Sequence, residues 1–139
     1  MAADFHTEGL QFLLECALTE EQSVPANFYV GLCEDASLNE DASLGDLTEL
    51  SGNGYARVAV ASDNVDLTSA AAGTNDRKVT TKACTFTADG GAWNGAKKAF
   101  LATTIDDSGK LIASMDLAAT RTLQDGDSEE ATLVLQLNG

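Results

Sequence analysis

Leu10, Leu13, Leu14, Ala17 and Leu18 recur at i, i+3, i+4, i+7 and i+8, which places them on one face of an amphipathic helix. Thr7 stands where an N-cap is needed, and Glu8 follows in the first turn, where a carboxylate meets the positive end of the helix dipole. The helix must stop before Pro25, the chain's one proline, because the residue preceding a proline avoids the α region. Its leucine stripe requires a cover, either the protein's own sheet or a neighbouring subunit.

Beyond Pro25 the pattern shortens to strands separated by turn residues. Asn27 to Cys33 is aromatic and branched, as a buried strand is. Gly52 and Gly54 flank Asn53 and allow the positive φ values of a tight strand entry, after which Tyr55, Arg57 and Ala59 point one way and Ala56, Val58 and Val60 the other. Further strands are predicted over residues 79–87, 97–104, 110–117 and 131–137. Asp106 to Gly109 is a turn that folds two of them into a hairpin, and Asp125-Gly126-Asp127 is another, ahead of a final strand in which Leu133, Leu135 and Leu137 share a face. Residues 62–76 hold few large apolar side chains and are expected to form a surface excursion. The pattern Glu34-Asp-Ala-Ser-Leu-Asn39 returns as Glu40-Asp-Ala-Ser-Leu-Gly45; two copies are too few for a solenoid, so the pair is read as a long acidic loop.

One helix followed by short strands predicts a mainly β fold, an antiparallel β-sandwich of jelly-roll-like kind with one amino-terminal α-helix; a small barrel is the alternative. The crossover helices of a parallel α/β sheet are missing. At 139 residues the chain is read as a single domain, with a helical segment over residues 1–24 and a sandwich over 27–137 that carries the acidic loop at 34–49.

Charge sharpens this picture. Residues 1–56 carry eleven of the 22 acids and no Lys or Arg, the first base being Arg57, and the formal net charge is −14. Such a surface repels phosphate backbones and anionic lipid, so neither nucleic acid nor membrane is an expected partner. The three cysteines, Cys16, Cys33 and Cys84, are widely spaced in apolar runs, the pattern of buried thiols in a reducing compartment rather than of disulfides or a zinc site. No basic n-region opens the sequence, and no apolar run approaches the ~20 residues that span a bilayer, so a soluble, non-exported chain is expected.

Candidate chemistry is sparse. The single histidine, His6, falls in an amino-terminal segment expected to be mobile, too loosely held for triad chemistry. Carboxylate pairs such as Glu20-Glu21, Asp106-Asp107 and Glu129-Glu130 are adjacent in sequence, which does not make them converge. Asp35, Glu40, Asp41 and Asp46 could offer oxygen ligands, but their spacing does not match an EF-hand loop. Gly52-Asn-Gly54 and Gly90-Gly91 precede strands, so neither presents a helix N-terminus to phosphate. Trp93, in a glycine-rich turn, is a core tryptophan at a sheet edge or else a platform for a sugar. No catalytic, metal or cofactor residue is assigned and an enzyme is not expected.

Several blocks, in order, resemble a family of small structural proteins of tailed bacteriophages, tail-fibre-like or minor structural proteins. They are Tyr29-Val-Gly-Leu32, Gly52-Asn-Gly-Tyr-Ala-Arg57, Trp93 through Phe100, Gly109-Lys-Leu111, and Arg121 through Asp127 ahead of Leu133-Val-Leu135. The resemblance spans about residues 27–137 and implies a β-sandwich virion component, made in the host cytoplasm, with no catalytic residues to carry over. The acidic surface favours a capsid decoration or cement protein that binds the major capsid protein or other virion proteins. The alternatives are a tail, collar or fibre component, or a carbohydrate- or receptor-binding module. Exposed sheet edges make a homo-oligomer an expectation as well. The candidate partner contacts are Leu10, Leu13 and Leu14 on the helix, Asp35, Glu40, Asp41 and Asp46 in the acidic loop, and Trp93.

Overall fold

The computed structural model describes residues 2–138. The chain runs through β1 (Asp4–Phe5), α1 (Thr7–Leu14), a π-helical turn (Glu15–Thr19), β2 (Asn27–Cys33), a 3-10 turn (Leu44–Asp46), β3 (Val58–Ala61), β4 (Leu67–Ala71) and β5 (Arg77–Thr81). It continues through β6 (Cys84–Thr87), β7 (Ala96–Ala102), β8 (Leu111–Arg121), β9 (Ser128–Ala131) and β10 (Val134–Leu137). A five-stranded sheet in the order β1-β8-β7-β2-β3 faces a second layer made of β10-β5-β4 and the β6-β9 ribbon. Every pairing among the described residues is antiparallel. The fold is mainly β with a single amino-terminal α-helix, as the sequence pattern predicts.

Two strands expected to be continuous are broken at the same level. Residues 79–87 divide into β5 and β6, and residues 131–137 into β10 and the end of β9. Thr80 pairs with Val134 and Cys84 with Ala131, so between these pairs one strand has a residue more than the other. The extra residue is a bulge that bends both strands and separates the two sheets. Thr81 bridges the break: its N–H donates to the Leu133 carbonyl and its hydroxyl accepts from the Leu133 N–H, both at 3.0 Å. The excursion at residues 62–76 contains a strand, β4, paired in register with β5. Past Leu67, which packs against the core, its residues are small or polar and exposed, as on an edge strand.

The centre of the five-stranded sheet is buried on both faces. Phe28, Val30 and Leu32 of β2, Val60 of β3, Ala99 and Leu101 of β7 and Ile112 of β8 enter the main core, where they meet Cys84, Phe86, Ala131 and Leu133 from the second layer. On the opposite face Cys33, Phe100, Ala102 and Leu111 pack under Ala42 and Leu44, with Leu38 and Leu47 beside them. The acidic loop is therefore not merely a solvated excursion. Its repeat places Leu38 and Leu44 at matching positions and uses them to cover the sheet, while the carboxylates between them face water.

The helix turns a different face inward from the one its leucines predict. Gly9 and Phe12 are buried, with Leu13 and Cys16 packed against the core, whereas Leu10, Leu14 and Leu18 are 40%, 56% and 75% exposed. A Cβ at Gly9 would run into the Ile112 backbone, so that glycine lets the helix lie directly on β8. The helical segment ends at Glu20, which takes a left-handed φ of 57°, well ahead of Pro25. His6 occupies the N-cap, and the Thr7 side chain bonds Asp41 instead of capping the helix.

Candidate functional site

The first three family-like blocks converge on one constellation around Phe100. The entry to β3 brings in Tyr55 and Arg57, and the alternation is retained only in part: Arg57 and Val60 are buried while Ala59 is exposed, because regular pairing begins at Val58. The Arg57 guanidinium uses all five of its donors. Nε and Nη2 fork onto Glu49 at 2.9 and 2.7 Å, Nη2 also donates to Asp107 at 2.6 Å, and Nη1 donates to the carbonyls of Thr104 and Asp106 at 3.0 and 2.6 Å. Burial opposes its charge, but the Glu49 and Asp107 carboxylates outweigh that and raise its pKa. Its carbon sits 5.1 Å from the centroid of the Phe100 ring, a cation–π distance. Gly31 abuts the same ring, and a Cβ there would collide with both Phe100 and the Tyr55 hydroxyl.

Tyr55 extends the constellation toward Trp93. Its hydroxyl donates to Glu49 at 2.7 Å and accepts from the Leu32 N–H at 2.9 Å, and burial keeps the phenol protonated. Its ring stacks on Phe86 and meets Trp93 edge to face, 5.6 Å between centroids. Trp93 itself is buried, with its indole N–H donating to the Asn53 carbonyl at 2.9 Å. The structure thus seats Trp93 in the core and turns neither ring face to solvent as a sugar platform would require.

His6 is not in a mobile tail. It is buried, and its Nδ1 lies 3.0 Å from the Asn39 carbonyl and its Nε2 2.8 Å from the Ser114 hydroxyl. A carbonyl can only accept, so Nδ1 carries the proton. Beside it the Thr7 N–H donates to the Glu40 carbonyl and the Thr7 hydroxyl to Asp41, each at 2.9 Å. These bonds fasten the acidic loop to the helix start, so the two regions expected to touch a partner form one continuous surface. Local sequence gives no signal for this, since the residues joined are more than thirty positions apart.

The acidic side chains serve the loop itself. Asp35 accepts from the Thr48 N–H at 2.8 Å, and Asp46 accepts from the backbone and hydroxyl of Ser43, bonds that lower its pKa. Asp35, Asp41 and Asp46 border a shallow polar hollow with Ser37 and Asn39. Among the described residues, no group of three or more His, Cys, Asp or Glu is arranged to hold a metal ion. Cys33 and Cys84 are buried and Cys16 half-buried, all three free, and burial pushes the Cys33 thiol up to about 12.

Leu10 and Leu14 stand in solvent, whereas Leu13 lines an apolar cleft of about 250 Å³ between the two layers. Phe5, Phe28 and Ile112 form one wall with it, Leu67, Val79 and Leu135 the other, and Arg77, Lys78 and the exposed Leu137 border it. Among the described residues, no helix is long and apolar enough to cross a membrane.

No curated protein matches the chain. A family model described as Podophage GP4 fiber I protein gp80 matches residues 10–134, a span that takes in Gly31, Glu49, Tyr55, Arg57, Trp93 and Phe100. Nearly the whole sandwich lies within that match, so the chain belongs to this family and is a small structural protein of a tailed bacteriophage.

Proposed function

We propose that the protein is a non-enzymatic subunit of the phage tail-fibre apparatus that works by binding other virion proteins. The family match over residues 10–134 carries this reading. The use of the side chains supports it: the polar groups with most chemical potential, His6, Glu49, Tyr55 and Arg57, are spent on one another and on backbone atoms of the same chain. Free energy of assembly comes from recognition by a surface that is complete only in the particle, with no chemical step.

That surface is proposed to be the exposed side of α1 together with the acidic loop it is fastened to, including Leu10, Leu14, Glu40 and Asp41. Capsid decoration draws its support from the acidic surface alone and is the weaker reading. Labelling purified virions with an antibody to the chain tests the two. Label on fibres or the tail is expected; label spread over the shell at high copy number would overturn the fibre assignment.

A further inference from the structure

We infer that Asn94 is a site of spontaneous modification, converted through attack by the Gly95 nitrogen to aspartate and isoaspartate while the fold stands. Three asparagines precede a glycine, at 53–54, 94–95 and 138–139, the last pair ending outside the described residues. A glycine has no Cβ to shield its own nitrogen, so that nitrogen can reach the side chain before it. The Gly95 nitrogen gives up its proton to solvent base and attacks Asn94 Cγ. The Cγ–Nδ2 bond breaks, ammonia leaves with a proton from solvent, and a five-membered succinimide closes. Water then opens that ring at Cγ, which gives aspartate, or at the main-chain carbonyl, which gives isoaspartate with its backbone running through Cβ.

Exposure does not separate Asn53 from Asn94, because both are exposed. Hydrogen bonds do. Asn53 Nδ2 donates to the Ala92 carbonyl at 2.9 Å, and the Asn53 carbonyl accepts from the Asp89 N–H at 2.8 Å and the Trp93 indole N–H at 2.9 Å. Closing the ring swings the side-chain amide and turns the bond from Cα to the carbonyl carbon, so it would break all three. Asn53 also holds a left-handed φ of 49°, with Gly91 close against its side chain. Asn94 has no such restraints: among the described residues, neither its side chain, its carbonyl nor the Gly95 N–H makes a hydrogen bond. Asn94 and Gly95 form a short link between Trp93, whose N–H donates to the Leu123 carbonyl at 2.9 Å, and Ala96, where β7 begins. Asn94 borders a polar hollow with Glu34 and Glu49, so each event puts a third carboxylate there, on a chain already at −14.

Peptide mapping by mass spectrometry tests this on the full chain, incubated folded in mildly alkaline buffer and in parallel unfolded in urea, with a zero-time digest subtracted for what the mapping adds. In the folded chain Asn94 is expected to gain the mass of an amide-to-acid change at least tenfold faster than Asn53, with isoaspartate among the products. In urea, where the bonds that hold Asn53 are gone, the two should react at similar rates. Asn94→Gln, at an exposed position, should slow the change at 94 at least tenfold, because the longer side chain must close a six-membered ring. Equal rates at Asn53 and Asn94 in the folded chain overturn the inference, and so does an Asn94 that reacts only in urea. A gap between the two that persists in urea also overturns it, since the difference would then belong to local sequence and not to the fold.

Discussion

Arg57 stands over Phe100 at a cation–π distance of 5.1 Å while a forked ion pair holds it to Glu49. Phe100 is wholly buried on the face of the sheet covered by the acidic loop, and Tyr55, which shares Glu49, reaches the main core through Phe86 and Trp93. One arginine thus joins the second core, the β7–β8 turn and the entry to β3. The Gly-Asn-Gly-Tyr-Ala-Arg block is a structural bolt, and its conformational share is visible in Gly52 and Gly54, both at positive φ around Asn53.

Arg57→Ala removes a cation whose side chain is 3% exposed, leaves the Thr104 carbonyl without its donor, and leaves Glu49 with the Tyr55 hydroxyl and the Asp106 carbonyl with the Thr104 hydroxyl alone. Breaking a buried pair from one side costs about 3 kcal/mol or more. The lower end is expected because Asp107 remains hydrated. Arg57→Lys should recover only part, since an ammonium cannot fork onto a carboxylate and span two carbonyls as well. Urea unfolding measures both; a loss under about 1 kcal/mol for Arg57→Ala would contradict the central role given to the arginine.

Gly31→Ala inserts a methyl where the Phe100 ring already lies. Overpacking of this kind costs about 1–3 kcal/mol, and the cost should shrink in the background of Phe100→Leu, which vacates the space. Additive losses in that double-mutant cycle would show that the two residues do not compete for the same volume.

The central strands β2 and β7 were legible because burial on both faces makes them near-continuous apolar runs. The helix was legible as a helix but not in its orientation. Gly9, Phe12, Leu13 and Cys16 have the same i, i+3, i+4, i+7 spacing as the leucines, so periodicity offers two apolar faces and packing chooses between them. What decides is the close approach at Gly9 to β8, a tertiary fact. The break between β5 and β6 was hidden because the polar run Thr80-Thr81-Lys82 blurs the shift of phase that the extra residue makes between Val79 and the pair Cys84 and Phe86. Trp93 was legible as a core residue; the burial of His6 was not, because its partners Asn39 and Ser114 come from distant segments.

Thiol reactivity should follow burial. Desolvation raises the pKa of all three thiols, with Glu15 adding to the rise at Cys16, but Cys16 is only half-buried on the helix segment whereas Cys33 and Cys84 are buried. A thiolate is the reactive form, so an alkylating reagent near pH 8 should modify Cys16 first and the other two only when the chain unfolds. Mass spectrometry of the native protein, followed by labelling in denaturant, gives the order; early modification of Cys33 would mean that the second core opens readily.

Asp66 gives a pH dependence with a definite sign. Its carboxylate accepts from the Ala61 N–H at 2.9 Å and pairs with Lys82 at 3.0 Å, and these bonds, the backbone one foremost, hold its pKa below the ordinary aspartate value. A group with a lowered folded pKa adds stability that is complete above its unfolded pKa, about 3.9, and is lost as pH falls through the folded value. Asp66→Asn should therefore melt earlier than wild type at pH 7, and the two melting temperatures should draw together as the solution is taken below about pH 4. Comparing variant with wild type at each pH largely cancels the relief of overall repulsion that acid brings to a chain of net charge −14. A gap in melting temperature that stays constant from neutral to acid pH would show that the asparagine acts through packing or hydrogen-bond geometry and not through the lost charge.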